Sequence, residues 1–224
     1  MPYVSAIIVA AGSGVRLGAK IPKAFVKINS KPMLEYSLQA HQDCKTVRQI
    51  ILVKPPSYQF NGLAYFDRFS KLSAIVTGGK ERPDSVKAGL NAISPDADII
   101  LIHDAARPLI RPEQIDSVIS AVIKHGAAIL AAPVTDTIKS ANKFVIKRTI
   151  DRAGLWKAQT PQGFRRDFIE RTHLKGKIIN TTDDSMLAER LNIKVHIVPG
   201  NDNNIKITTP VDLEITSCLL RKKK

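Results

Sequence analysis

The sequence predicts an α/β fold: a doubly wound, mostly parallel, Rossmann-like sheet with a protruding β-hairpin arm. Three observations carry this. Apolar runs of strand length alternate with segments of helical periodicity along most of the 224 residues, as in strand–helix units that build parallel sheets. The first run, Val4 to Val9, holds no charge and empties into Ala10-Ala11-Gly12-Ser13-Gly14, which reads as a buried strand followed by a loop lined with backbone N–H groups. Between Pro133 and Ala158 the alternation breaks into Thr-, Val-, Ile- and Lys-rich extended runs around Asn142-Lys143, which reads as a hairpin leaving the core.

The elements follow in order. After the first strand, Pro32 to Cys44 reads as a helix with Leu34 and Leu38 on one face, and Val47 to Val53 as the second strand. A helix is expected within Ser57 to Phe69. Ala74 to Thr77 is a short strand ending at Gly78-Gly79. Pro83 to Ile93 places Val86, Leu90 and Ile93 at helical spacing. Ile99 to Ile102 is a strand, Pro112 to Lys124 a helix that turns Ile115, Val118, Ile119 and Val122 inward, and Ala127 to Ala132 a strand. The arm occupies about 133–158. From Arg165 the pattern resumes with a helix at Asp183 to Leu191, strands at Val195 to Val198 and Ile205 to Thr208, and a helix at Pro210 to Leu219. The length suits one domain, 1–224, with no linker to divide it. An isolated hairpin is marginal in water, so the arm is expected to pair with a second subunit.

Composition narrows the setting. No segment has the length of a membrane span, and no charged leader precedes the first strand. Cys44 and Cys218 lie far apart without a partner motif, which suggests a reducing cytoplasm, no disulfide framework and no zinc site. The net charge is +14, with four of the cations in the terminal run Arg221-Lys222-Lys223-Lys224. Such a tail reads as a solvated end. The remaining excess suits a protein that handles phosphates, or one that binds nucleic acid.

Functional groups in open parallel sheets lie outside the carboxyl ends of the strands. The first strand is followed by the glycine loop, then Arg16 and Pro22-Lys23. The loop is not a Walker A motif. It is not a full dinucleotide fingerprint either, because position 17 is Leu and the third glycine, Gly18, comes one residue late. With two cations beside it, it reads as a socket for a nucleoside triphosphate. The third strand is followed by Gly78-Gly79-Lys80-Glu81-Arg82 and Ser85, the fourth by His103-Asp104-Ala105-Ala106-Arg107-Pro108, and the fifth by Pro133-Val134-Thr135-Asp136-Thr137. All four clusters are expected along one edge. Asp104 is a natural Mg²⁺ ligand, directly or through water, against the plainer reading of an ion pair with Arg107. His103 reads as a hydrogen-bonding scaffold ahead of a general base. No G-x-S-x-G nucleophile is present, and the His41/Cys44 spacing reads as incidental.

In order, Ala10-Ala11-Gly12-Ser13-Gly14-x-Arg16, Pro22-Lys23, Gly78-Gly79-x-x-Arg82-x-x-Ser85-Val86, His103 to Pro108, Ala132-Pro133-Val134-x-Asp136-Thr137, Asp151-Arg152-x-Gly154-Leu155-Trp156, Thr160-Pro161-Gln162 and Asn204-Ile205-Lys206 resemble the 2-C-methyl-D-erythritol 4-phosphate cytidylyltransferases of non-mevalonate isoprenoid synthesis. The resemblance covers nearly the whole chain. It implies a single cytoplasmic nucleotidyltransferase domain that uses CTP and Mg²⁺ (or another divalent metal), a homodimer with exchanged arms, and 4-diphosphocytidyl-2-C-methylerythritol and pyrophosphate as products. It assigns Arg16 and Lys23 to charge on the triphosphate in the transition state. Arg152 and Lys206 would position the substrate phosphate, Arg152 from the partner's arm. The implied nucleotide contacts are Ala10, Ala11, Gly12, Gly14, Gly79, Arg82, Ser85 and Asp104, with Gly79 and Ser85 reading cytosine. Asp104, Arg107, Thr137, Arg152 and Thr160 would face the sugar phosphate.

Two positions depart from the family pattern: Ala24 stands where Gln is common, and Asn203 where an acid is common, with Asp202 one place earlier. Three other readings compete. A ribitol-5-phosphate cytidylyltransferase shares most of the motifs. A basic RNA-binding module lacks an aromatic stacking strand, at 5% aromatic residues. A nicotinamide-dependent oxidoreductase lacks the acid ending the second strand, where Val53 is followed by Lys54-Pro55.

Overall fold

The computed structural model describes residues 1–12, 14, 17–18, 21–58, 66–174 and 181–221. Strand β1 (Val4–Val9) leads through a 3-10 turn (Lys23–Phe25) to the small hairpin β2 (Lys27–Ile28) and β3 (Lys31–Pro32). Then come α1 (Met33–Asp43), β4 (Val47–Lys54), β5 (Leu72–Thr77), α2 (Arg82–Leu90), β6 (Ile99–Asp104), α3 (Pro112–His125) and β7 (Ala127–Pro133). The arm is β8 (Ile138–Asn142) and β9 (Val145–Ile150), and β10 (Trp156–Arg165) returns the chain to the core. Helices α4 (Arg166–Leu174) and α5 (Asp184–Arg190), strand β11 (His196–Pro199) and helix α6 (Pro210–Arg221) complete the described chain.

Seven strands form one sheet in the order β11-β7-β10-β6-β1-β4-β5. Only β10 runs antiparallel to its neighbours β6 and β7; the other pairings are parallel. Helices cover both faces, so β1 is apolar on both sides. Ala6 and Ile8 pack with Leu34 and Leu38 of α1 and with Ile115, Val118 and Val122 of α3. Ile7 packs with Val86 of α2 and Ile169 of α4 on the other face. That two-sided burial is why the run shows no polar alternation. None of the described helices is long and apolar enough to cross a membrane.

Several expectations need correction. The hairpin arm forms, but its turn residues are Lys143 and Phe144, at φ 44° and 68°, one place beyond the expected pair. Two positive φ values are what a two-residue loop needs to match strand twist. The stretch from Trp156 to Arg165 is a central strand, where the sequence suggested the end of the arm and a connection. Its run of Gln, Thr, Pro and Gly conceals this, and it takes a register shift between Ala158 and Gln162. Gly163 is required there: a Cβ would lie 2.8 Å from Val122 and 2.9 Å from Leu101 side-chain atoms. The expected strand at Ile205 to Thr208 is absent; Ile207 donates its N–H to the Ala106 carbonyl and buries its side chain in an extended loop. Helix α2 ends at Leu90, though Ile93 is still buried. Of the helix expected within 57–69, residues 59–65 lie outside the described residues, and the flanks form turns.

Candidate active site

The carboxyl ends of β1, β5 and β6 open on a cavity of about 320 Å³. The loop after β1 supplies Ala10, Ala11 and Gly12, and the 3-10 turn supplies Lys23. The β5–α2 connection supplies Gly79, Arg82 and Ser85, the end of β6 supplies Asp104, and the loop before α6 supplies Lys206. Gly14 is not among the described lining residues. It sits under Lys23 at φ +73°, where a Cβ would come within 2.5 Å of the Lys23 Cβ. Both the backbone angle and the close approach call for glycine, and together they fix the start of the Lys23 side chain. Arg16 lies outside the described residues.

The charged groups are tied to one another. Lys206 Nζ lies 2.6 Å from Asp104 Oδ2, and Arg82 Nε lies 3.2 Å from Asp104 Oδ1. Burial alone would raise the Asp104 carboxyl; Arg82, Lys206 and Arg107 outweigh it and hold the group well below the usual carboxylate range. The plainer alternative for Asp104, an ion pair with Arg107, does not form; its ion-pair partners are Arg82 and Lys206. Arg107 instead donates to the Asn204 carbonyl (2.7 Å) and the Ala158 carbonyl (3.2 Å).

His103 anchors this arrangement from behind. Asp104 N–H donates to Thr160 Oγ1 (3.1 Å), and the Thr160 hydroxyl lies 3.1 Å from His103 Nδ1. His103 Nε2 lies 3.3 Å from the Arg107 carbonyl. A carbonyl only accepts, so Nε2 carries the proton and Nδ1 accepts from Thr160. Burial first, and His41 second, push His103 well below its ordinary pKa. Buried and with both ring nitrogens committed, its ring sits as a scaffold behind the cavity wall. The other sequence pair is also committed elsewhere: His41 Nδ1 bonds the Ser37 carbonyl, and the Cys44 thiol faces Asp116.

A second cavity of about 190 Å³ shares Arg82, Asp104 and Lys206 with the first and adds Arg107 and Thr160. Gln159, Gln162, Thr182 and Asp183 also line it and were missed from sequence. Asp183 reads in the sequence only as a helix start, and it does cap α5 by accepting from Met186 N–H. The signal available was the Thr181-Thr182-Asp183 run directly before the helix.

Thr137 and Arg152 are not among the described residues lining either cavity. The cluster after β7 therefore does not join the others within one chain. Arg152 lies in the turn between β9 and β10, not on a limb of the arm, and its guanidinium bonds the Thr135 carbonyl. The arm tip is bare, with Phe144 at 105% and Val145 at 69% exposure. At the positions that depart from the family pattern, Ala24 lines the first cavity. Asp202 pairs with Lys157, and Asn203 N–H bonds Asn201, so Asp104 is the acid that orients Lys206.

A sequence model described as IspD, 2-C-methyl-D-erythritol 4-phosphate cytidylyltransferase, matches residues 4–222. The chain belongs to the 2-C-methyl-D-erythritol 4-phosphate cytidylyltransferase family. A member of that name from Pelotomaculum thermopropionicum is 40% identical over 231 residues, spanning 100% of this chain and 97% of its own. One from Caldanaerobacter subterraneus is 41% identical, spanning 98% of this chain and 99% of its own. Among solved structures, a 4-diphosphocytidyl-2C-methyl-D-erythritol synthase from Anaerococcus prevotii superposes with a TM-score of 0.83 at 30% identity, over 98% of this chain and 96% of that one. As a member of the cytidylyltransferase family the chain is a nucleotidyltransferase, and the Rossmann-like sheet is the family fold.

Proposed function

We propose that this cytidylyltransferase-family chain couples CTP to 2-C-methyl-D-erythritol 4-phosphate, giving 4-diphosphocytidyl-2-C-methylerythritol and pyrophosphate, as one cytoplasmic domain. A phosphate oxygen of the acceptor attacks the α-phosphorus of CTP in line. The bond to the β-bridging oxygen breaks and pyrophosphate leaves. The nucleophile is already an anion, so no general base is needed. The barrier is repulsion between anions, which preorganised cations lower.

The observation that carries this reading is the array Lys23, Arg82, Asp104 and Lys206 around one sheet-edge cavity that continues into a second. The first cavity would take CTP, with the Ala10–Gly12 backbone and Gly14 shaping the phosphate loop, and Gly79 and Ser85 against the base. The second would take the acceptor phosphate, with Arg107, Thr160 and Lys206. Lys23, with Arg16 from the same loop, would stabilise charge on the triphosphate.

Mg²⁺ fits only as an ion that arrives with the nucleotide. Among the described residues no group of three His, Cys, Asp or Glu could hold a metal. Mg²⁺ bound to phosphates needs only one or two carboxylates, and Asp104 is placed to be one, directly or through water. The ion would neutralise phosphate charge.

We further propose a homodimer in which Arg152 and Thr137 serve the partner's site. Support comes from neither residue being among the described residues that line their own chain's cavities, and from the exposed apolar arm tip. The test is pyrophosphate release with CTP, UTP, ATP and GTP crossed against methylerythritol phosphate and ribitol 5-phosphate, with and without a chelator. Release with CTP and methylerythritol phosphate, abolished by the chelator, is expected. Release with ribitol 5-phosphate alone would move the assignment, and release with neither acceptor would end it.

A further inference from the structure

Arg82, on the wall between the two cavities, is shared by two carboxylates. Its Nε lies 3.2 Å from Asp104 Oδ1, and its NH1 lies 2.8 Å from Asp184 Oδ2. Asp104 faces both cavities. Asp184, the first residue of α5, is 1% exposed and is not among the described residues lining either one.

A carboxylate buried this deeply is costly unless paired. Capping the helix does not require it. Asp183 accepts from Met186 N–H, and Gln162 Oε1 accepts from both the Asp184 and Ser185 N–H groups, each at 3.0 Å. The Asp184 carboxylate is left to face Arg82 on one side and His173 on the other, whose Nε2 lies 3.3 Å from Oδ1. Charges thus alternate from Asp184 through Arg82 and Asp104 to Lys206, in one row leading to the cavity. Without Asp184, the NH1 side of Arg82 would lose its only buried anchor among these pairs and the guanidinium would no longer be fixed at the cavity wall, while Lys206 would keep its own oxygen of Asp104.

We propose that Asp184 is a positioning residue for nucleotide binding: from behind the wall it holds Arg82 at the CTP cavity. This rests on the reading of that cavity as the CTP site. The test is steady-state kinetics of Asp184→Asn, alone and combined with Arg82→Ala, alongside thermal melts. The single variant is expected to raise KM for CTP about tenfold while kcat and the acceptor KM stay within about twofold. In the Arg82→Ala background, adding Asp184→Asn should leave KM for CTP nearly unchanged, because the group it positions is gone. An unchanged KM for CTP in the single variant, or a full repeat of its effect without Arg82, would overturn the proposal. If Asp184→Asn does not fold, Asp184→Glu with and without Arg82→Ala is read in the same way: a several-fold rise in KM for CTP that disappears without the guanidinium. A wild-type chain that turns over no CTP would fail the underlying reading, and that is seen before any variant is made.

Discussion

Lys206 Nζ and Asp104 Oδ2 lie 2.6 Å apart, tying the loop before α6 to the end of β6. The same carboxylate faces Arg82 through its other oxygen, so one acid sets the direction of two cations. Lys206→Ala is expected to lower kcat by about 10², the usual loss when one preorganised charge is removed from a transition state. Asp104→Asn should cost more, because it releases Lys206 and leaves Arg82 held by Asp184 alone, and should raise KM for both substrates. Steady-state kinetics with circular dichroism as a folding control checks this.

Lys23→Ala and Arg16→Ala are each expected to lower kcat by about 10² or more. Lys23 lines the cavity at the sheet edge and belongs to no apolar core cluster, so thermal melting of Lys23→Ala should be nearly unchanged. A near-normal kcat in either variant would show that the triphosphate lies elsewhere.

What could be read from the sequence followed from burial. β1 and β6 are buried on both faces, so Lys23 beyond the first and Asp104 at the end of the second could be placed on one edge, with Gly79 and Ser85 after the parallel strand β5. β10 could not be read, because Gln159, Thr160 and Gln162 are buried polar residues whose side chains meet partners distant in sequence, among them Asn201, Asn204, His103 and Asp183. Asp184 was missed for the same reason: its partner Arg82 is distant in sequence. Ile205 to Thr208 looked like a strand because Ile207 is buried, yet its backbone bonds a loop carbonyl.

The arm prediction concerns Arg152, whose guanidinium lies off both cavity walls of its own chain. If it acts in the partner's site, mixing Arg152→Ala and Lys23→Ala subunits should restore activity, because one site of the mixed dimer escapes both defects. Mixed dimers shown to form by native mass spectrometry but remaining inactive would rule out the exchange.

Acid stability should be set by two buried histidines whose ring centroids lie 4.9 Å apart. Burial lowers His41 to about 4, despite its bond to the Ser37 carbonyl, and lowers His103 well below its ordinary value. The unfolded chain takes up these protons near pH 6.5, while the native state refuses them. Their contribution to stability is therefore complete above about 6.5 and is lost as pH falls toward 4. His41 alone should cost about 2 kcal/mol between pH 7 and pH 5. Asp104 and Asp184, both lowered, contribute only at lower pH. Urea midpoints at the two pH values check this, with a smaller drop expected for His41→Gln and a flat profile contradicting the account.

The most direct measurement is ³¹P NMR of the purified chain with CTP, Mg²⁺ and 2-C-methyl-D-erythritol 4-phosphate. The account predicts loss of the acceptor's phosphomonoester signal, growth of two coupled diphosphate resonances, and one pyrophosphate for each diphosphate formed. An unchanged phosphomonoester signal, or pyrophosphate without the coupled pair, would contradict it.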